Sequence, residues 1–415
     1  MVLLFQQNGL NATPGDIHRT RVKDCQMKEK LYLKICIITS WYPSKKYPIM
    51  GSFVEHFARS LANYGLNVQV ITNLQDGDTN LEKKDSLIVH RIKGKIPFIP
   101  IRIFSYVDIF AILKIIKKIQ PDIIHVQAPN YFSLSAIILP KLLRKRIVAT
   151  IHRAEVADKV RLPIFVLRKL ALRMFDELIC VSNYTKCLAM DAGAIQEKTS
   201  IIYNSCDESY FYLRNKFEVR QLLDLPTDKK IILFVGNLIQ RKGIDTLIHA
   251  LNDVNERYSN FIGIIVGKGI ERQKLEFLVY AYHLTDRVKF LGGISKTELS
   301  NYYSAADVFV LPSVSEGHSV AVLEAMACGL PIVASDIQGN KESIEDGKNG
   351  FLFETGNKKS LMEKLLILLT DSELHKKISE TCLMRYAEKF STTTQIEKYL
   401  KVYQNLVDLQ ELKKK

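Results

Sequence analysis

Short apolar runs alternate with stretches of helical periodicity along most of the chain. In the first half the apolar runs fall at 34–39 (KICIIT), 67–72 (NVQVIT), 87–92 (LIVHRI), 122–126 (DIIHV), 147–151 (IVATI), 177–181 (ELICV) and 200–203. Each is short enough for a strand buried on both faces, and the i, i+3, i+4 spacing at 53–64, 104–119, 131–143 and 183–192 predicts helices between them. Strand, helix, strand in this order predicts a parallel sheet covered on both sides.

The second half repeats the arrangement. Strands are expected at 230–235 (KIILFV), 261–266 (FIGIIV), 288–291, 308–311 (VFVL) and 331–335 (PIVAS), with helices at 245–257, 270–282, 296–304 and 320–328. Beyond Phe353 the pattern is helical, at 358–369, 372–388 and 394–412. Turn formers in NSCDES and the proline before KIILFV place a linker at 205–227. The organisation expected is a leader over 1–30, a Rossmann-like domain over 31–204, a second over 228–390 and a closing helical segment over 391–415. The fold class is α/β with two doubly wound domains facing across a cleft, where ligands sit at the carboxyl ends of the strands.

At 415 residues, with 47% hydrophobic and 25% charged positions, the chain has the composition of a folded globular protein and not of a disordered or collagen-like one. The charge balance of 58 Lys and Arg against 44 Asp and Glu leaves a formal +14, which implies an anionic partner without choosing it. Seven cysteines lie far apart with no CxxC pair, so neither a disulfide framework nor a zinc site is supported, and a reducing cytoplasm fits. The first 26 residues do not read as a signal peptide, and Met27 is an alternative start. No apolar run reaches the roughly 18 residues that span a bilayer.

The most informative stretch is 311–336, LPSVSEGHSVAVLEAMACGLPIVASD. A strand ends, a polar loop carries Glu316 and Gly317, and a helix follows in which Glu324 is the one charged residue. A carboxylate on an otherwise apolar helix needs partners, because burying it alone is costly. The helix start offers free backbone N–H groups to a phosphate, and a carboxylate further along it is placed for the hydroxyls of a ribose. A nucleoside diphosphate bound by the second domain is therefore expected. The loop 235–245, VGNLIQRKGID, adds Gly236 for a tight turn and the adjacent cations Arg241 and Lys242. Gly267 in VGKGIER marks a third turn of the same kind. In the first domain Gly51 precedes a predicted helix, and His125 and His152 stand at successive strand ends, with His152 the stronger candidate. The DGD triplet at 76–78 sits in a polar loop and reads as a turn, so no metal site is assigned.

Taken together, EGHSVAVLE, AMACGLPIVASDIQGNKESI, VGNLIQRKGIDTLI, DELICVSNYTKCLA and WYPSKKYPIMGSFVEHFARSLANYGLNVQVIT resemble the retaining GT-B glycosyltransferases of family four, the glycosyl transferases group one, from about residue 31 to 390. The resemblance implies two Rossmann-like domains, a sugar-nucleotide donor held by the second, and a carboxy-terminal helix crossing back to the first. It implies that Glu324 binds the donor ribose, that Glu316 lies near the transferred sugar and its phosphate, and that His318 is beside the sugar. The backbone around Ser319 and Val320 would face the diphosphate, with Lys242 as its lysine. His152 corresponds to the histidine near the anomeric centre and Gly51 to a first-domain glycine facing the donor phosphates. Asn237 stands where many members carry an arginine, which leaves charge neutralisation to Lys242 and Arg241, and Asn204-Ser205 replaces the usual Asn-Gly.

The activity implied is transfer of a hexosyl group from a nucleoside diphosphate sugar to a hydroxyl acceptor, independent of metal and of any further cofactor. The expected acceptor is a lipid-linked saccharide, a glycolipid or a growing envelope polysaccharide. A nucleotide-sugar epimerase and a non-catalytic nucleotide-sugar-binding subunit are the alternatives. For 93–118, where basic residues flank an apolar segment, two readings stand: a core-facing helix, or a surface resting on anionic lipid at the inner face of a membrane. Nucleic acid is disfavoured because no reader motif accompanies the basic residues.

Overall fold

The computed structural model describes residues 32–40, 42–47, 51–84, 87–92, 106–128, 144–157 and 162–412. The leader, the helix expected at 131–143 and residues 93–105 of the basic-apolar segment lie outside the described residues.

The first sheet has eight strands: β1 (Lys34–Ile38), β2 (Asn67–Asn73), β3 (Leu81–Lys84), β4 (Leu87–Ile92), β5 (Ile123–Gln127), β6 (Arg146–Ile151), β7 (Glu177–Cys180) and β8 (Thr199–Ile201). Their order is β3-β4-β2-β1-β5-β6-β7-β8. The pairs β1–β2, β1–β5, β2–β4 and β7–β8 are parallel, and β3 returns antiparallel on β4. β3 escapes sequence reading because LEKK is polar and carries no strand pattern, and the pairing with β4 holds it.

The second sheet has six strands: β9 (Lys230–Val235), β10 (Phe261–Val266), β11 (Val288–Gly292), β12 (Val308–Leu311), β13 (Ile332–Ser335) and β14 (Phe351–Phe353). The order is β11-β10-β9-β12-β13-β14, parallel throughout. This is the doubly wound order whose reversal lies between β9 and β12, so the loops after these two strands splay apart and leave room for a ligand. Strands β9, β10, β12 and β13 are apolar on both faces because helices cover both, and their side chains form one continuous core with the helices Ile244–Asn255, Val320–Ala327 and Lys358–Thr370.

By contact the described residues divide into two compact units. One holds the residues up to Gln127, 144–148 and those from Leu406 onward; the other holds Ala128 and Ala149–Asn405. The second unit therefore contains the end of β6, β7, β8 and the whole second sheet. Within it the hydroxyl of Tyr399, on the long helix Thr392–Leu412, lies 3.0 Å from that of Thr150 in β6. The Ser205 hydroxyl donates to Gln395 of the same helix at 2.7 Å, so serine, where a glycine is usual, has a hydrogen-bonding partner of its own.

The stretch expected as a linker contains the helix Lys216–Leu222. Its Arg220 is buried and binds Asp307 at 2.5 Å, the carbonyl of Ala305 at 2.9 Å and the carbonyl of Lys229 at 3.0 Å. Asp307 also takes Lys216 at 2.9 Å and the N–H of Ile231 at 2.7 Å. Burial by itself would raise the Asp307 pKa, but Lys216 and Arg220 outweigh it and hold the carboxyl below its ordinary value. Asp307→Asn is expected to cost about 3 kcal/mol, because it leaves the Arg220 guanidinium buried without its counter-charge. The sign of the pH effect follows. A depressed folded-state pKa gives stability that is present above the unfolded value near 4 and is lost as pH falls through the folded value. Urea titrations at pH 7 and pH 3 should show a large gap between wild type and variant at pH 7 and a smaller one at pH 3.

Candidate active site

The chemistry gathers at the reversal point of the second sheet. After β9 the chain turns through Gly236 and Asn237 and makes one tight helical turn over Gln240–Lys242. It ends on Gly243 in the left-handed conformation, with φ at 61°. A side chain at Gly243 would overlap the carbonyl oxygen of Pro312, the first residue after β12. This contact pins the basic loop to the loop that carries Glu316. Gly236 leaves its space to the Phe234 ring and to the aliphatic stem of Lys242. Gly267, with φ at 145°, packs against the carbonyl of Gly236, and the Gly236 N–H donates to Val266 at 3.0 Å. The glycines of the two turns let three strand-end loops lie backbone against backbone.

Glu316 is buried and bound by Lys242 at 2.6 Å, with Arg241 at 3.6 Å. Arg241 also donates to the carbonyl of Ser315 at 2.5 Å. Burial acts to raise the Glu316 pKa, yet the charge and hydrogen bond of Lys242, helped by Arg241, keep the carboxyl below its ordinary value. Asn237 is exposed and forms no part of this cluster. The helix Val320–Ala327 begins four residues after Glu316. The first-turn N–H groups of a helix have no intrahelical acceptor, and the N-cap, Ser319, makes no side-chain capping bond to them, so the positive end of the helix can meet an anion.

Glu324 lies one turn into that helix. Its Oε2 accepts from the Tyr303 hydroxyl at 2.9 Å. Burial pushes its pKa up to about 7, with Asp207 adding to the rise and Tyr303 and Lys296 opposing it. A carboxyl near neutrality at physiological pH, inside a ligand-binding fold, is a functional candidate on physical grounds.

His318 is buried between Tyr203 and Phe390, with ring centroids at 5.1 and 5.3 Å. Its Nδ1 accepts from the Asn204 N–H at 3.3 Å and its Nε2 lies 3.0 Å from the Ser343 hydroxyl. The accepting Nδ1 assigns the proton to Nε2. Burial and the neighbouring His152 push its pKa down to about 3, so the ring is neutral. Both nitrogens are thus engaged by the protein itself. His152 follows β6, and burial lowers its pKa to about 4. A Cβ on Gly317 would overlap the His152 carbonyl oxygen and crowd Arg153 Cβ at 3.0 Å. Gly339 in turn packs against the carbonyls of Glu316 and Gly317.

Gly317→Ala is therefore expected to keep the fold but cost about 10²-fold in turnover, since displacing the segment 152–153 or the Glu316 loop by an ångström misplaces reacting groups. Steady-state kinetics beside a melting curve would check it; an alanine variant with wild-type turnover would show that the close approach is unimportant.

The remaining candidates separate. Gly51 has φ at 78° and starts the helix Ser52–Asn63. It belongs to the first unit and is described there alone. His125 is completely buried, edge-on to Phe57 at 5.3 Å, which is a core position. Asp78 accepts from the N–H groups of Lys45 and Gln75 and pairs with Arg91, and Asp76 pairs with Lys46, so the DGD triplet closes a turn. The six described cysteines are free thiols. No helix among the described residues is long and apolar enough to cross a membrane. Sequence reasoning did not find Tyr303, Asn204 or Ser343 as site residues. Each makes its contact across at least 21 positions, and only Asn204 falls in a stretch that the sequence marks, as half of the Asn204-Ser205 pair.

Two family models match the chain: glycosyl transferases group 1 over residues 215–382 and Glycosyltransferase Family 4 over residues 50–210. An uncharacterized glycosyltransferase of Methanocaldococcus jannaschii is 26% identical over 378 residues, covering 88% of this chain and 98% of its own. A UDP-Gal:alpha-D-GlcNAc-diphosphoundecaprenol alpha-1,3-galactosyltransferase of Escherichia coli is 27% identical over 313 residues, 72% of this chain and 79% of its own. Among solved structures, sucrose-phosphate synthase from Thermosynechococcus elongatus superposes with a TM-score of 0.78 at 24% identity, covering 91% of this chain and 100% of that one.

Proposed function

The chain belongs to the group 1 glycosyltransferases and has their GT-B fold, and from that premise we propose that it moves a hexosyl group from a nucleoside diphosphate sugar to a hydroxyl acceptor with retention of configuration. The observation that carries this reading is the convergence of Lys242 and Arg241 on Glu316, beside the uncapped start of Val320–Ala327, with Glu324 one turn further along that helix. When the bond from the sugar to the diphosphate breaks, its electron pair leaves with the diphosphate. Lys242, Arg241 and the first-turn N–H groups are preorganised to meet that charge without reorganisation. Glu324 accepts hydrogen bonds from the ribose, and Glu316 and His152 border the transferred sugar. His318, neutral and held at both nitrogens, supports the loop and brings its backbone to the donor.

The acceptor in this reading is a lipid-linked saccharide or a growing envelope polysaccharide. An acceptor of that kind calls for a position on the inner face of an anionic membrane. Support comes from the formal +14 charge and from the helix Leu162–Met174, which exposes Val166 and Leu170 beside Lys169 and Arg173. Co-sedimentation with anionic but not with neutral vesicles is expected; equal binding to both, or to neither, removes the membrane from the reading.

The test of the activity is mass spectrometry of the purified protein with a panel of nucleotide sugars and a polyprenyl diphosphate saccharide. Consumption of one donor with a matching mass gain on the acceptor is expected, and turnover should persist after treatment with EDTA. Folded protein that turns over no donor and transfers nothing would refute it.

A further inference from the structure

Tyr303 sits on the helix Lys296–Ala305, which is anchored by a capping box between Ser295 and Glu298. The side chain is 1% exposed and its ring is wedged between Phe211 and Phe309, at centroid distances of 5.5 and 5.6 Å. The hydroxyl reaches the next helix, donating to Glu324 Oε2 at 2.9 Å and lying 3.3 Å from the carbonyl oxygen of Ala321. Oε1 of Glu324 has no protein hydrogen-bond partner among the described residues.

We propose that Tyr303 is a positioning residue for nucleotide recognition, fixing the plane of the Glu324 carboxylate through Oε2 and leaving Oε1 to accept from the ribose hydroxyls. The proposal rests on the reading of Glu324 as the ribose carboxylate and assigns a role to a residue outside the family motif. A phenol in a dry site is a strong donor, and a hydrogen bond to the ionised carboxylate favours that form over the protonated one. The other groups facing Glu324 are Lys296, tied to Asp207 at 2.5 Å and set over the Tyr210 ring, and the buried thiols of Cys206 and Cys328. Lys296 favours the ionised carboxylate and Asp207 opposes it. The two thiols remain protonated, burial pushing that of Cys328 up to about 12 and that of Cys206 well above its ordinary value. Among the described residues Tyr303 is thus the one group in direct hydrogen-bond contact with the carboxylate.

Affinity for UDP, ADP and GDP is measured from pH 6 to pH 9 by calorimetry on wild type, Tyr303→Phe and Glu324→Gln, using the nucleotide that binds wild type most tightly. Wild-type affinity is expected to weaken as pH falls below about 7. Tyr303→Phe should move that midpoint up by about one pH unit, weakening binding about fivefold at pH 7 with recovery toward pH 9. A loss equal at every pH, or no loss, overturns the proposal, because a merely structural role would not move the midpoint. The infrared band of the protonated carboxyl, defined by its absence in Glu324→Gln, gives the same midpoint without nucleotide. An unshifted band in Tyr303→Phe overturns the proposal as well. If Glu324→Gln binds nucleotide as wild type does, the ribose reading fails; if that variant loses binding while Tyr303→Phe titrates as wild type, only the positioning role fails.

Discussion

Replacing Lys242 with alanine is expected to lower donor turnover by about 10²–10³-fold, the cost typical of removing one preorganised donor from a developing negative charge. Lys242 is also the main counter-charge of buried Glu316, at 2.6 Å. Without it the weaker contributions of the Ser313 hydroxyl and of Arg241, at 3.6 Å and partly exposed, are left to oppose the burial that acts to raise the Glu316 pKa. The carboxyl should then move from below its ordinary value to above it. A raised folded-state pKa gives stability that is present at acid pH and lost as pH rises through that value. The variant should therefore melt lower than wild type at pH 8 and approach it near pH 5. Kinetics and melting curves at both values check the two halves separately. Lys242→Arg keeps the charge with a different reach, and should retain stability better than turnover. Wild-type turnover in Lys242→Ala would remove this lysine from the donor site.

Glu324→Gln is expected to do two opposite things. It should weaken nucleoside diphosphate binding by about 10–100-fold, because hydrogen bonds to a charged acceptor contribute about 1.5–3 kcal/mol. It should also stabilise the unliganded protein above neutral pH. In the wild type the folded carboxyl titrates at about 7, whereas an unfolded glutamate titrates near 4.3. The folded state therefore binds the extra proton between these values, and stability falls as pH rises from about 4 to 7 and then levels off. The ionised carboxylate costs up to about 4 kcal/mol at pH 8 on this linkage, and glutamine abolishes that cost while still accepting from Tyr303. A higher melting temperature at pH 8, no gain at pH 4.5 and a weakened nucleotide would together identify a carboxylate kept for binding at the expense of stability. A variant less stable at pH 8 would mean that Glu324 is a structural anchor.

The two sheets were legible because both halves put mostly apolar strands under helices, and a run such as KICII or FIGIIV, buried on both faces, stands out even beside the partly polar β2 and β4. Elements held by their surroundings were not legible. Polar β3 exists because β4 pairs with it, and the helix Lys216–Leu222 falls in an expected linker because its packing depends on Arg220 finding Asp307. The candidate site divides in the same way. Glu316, Glu324, Lys242 and the glycine turns were readable because strand-end loops and a lone carboxylate on an apolar helix are local signals.

By itself the sequence determined two doubly wound domains and marked the loops proposed to meet an anionic ligand, since hydrophobic period, turn residues and charge are all encoded within a few positions. Only the tertiary structure decided that Lys242 neutralises Glu316, that His318 spends both nitrogens on the protein, and that Tyr303 holds Glu324. Those pairings join residues 21 to 114 positions apart, and a protonation state depends on the burial and charge that such distant neighbours create, which no local pattern records.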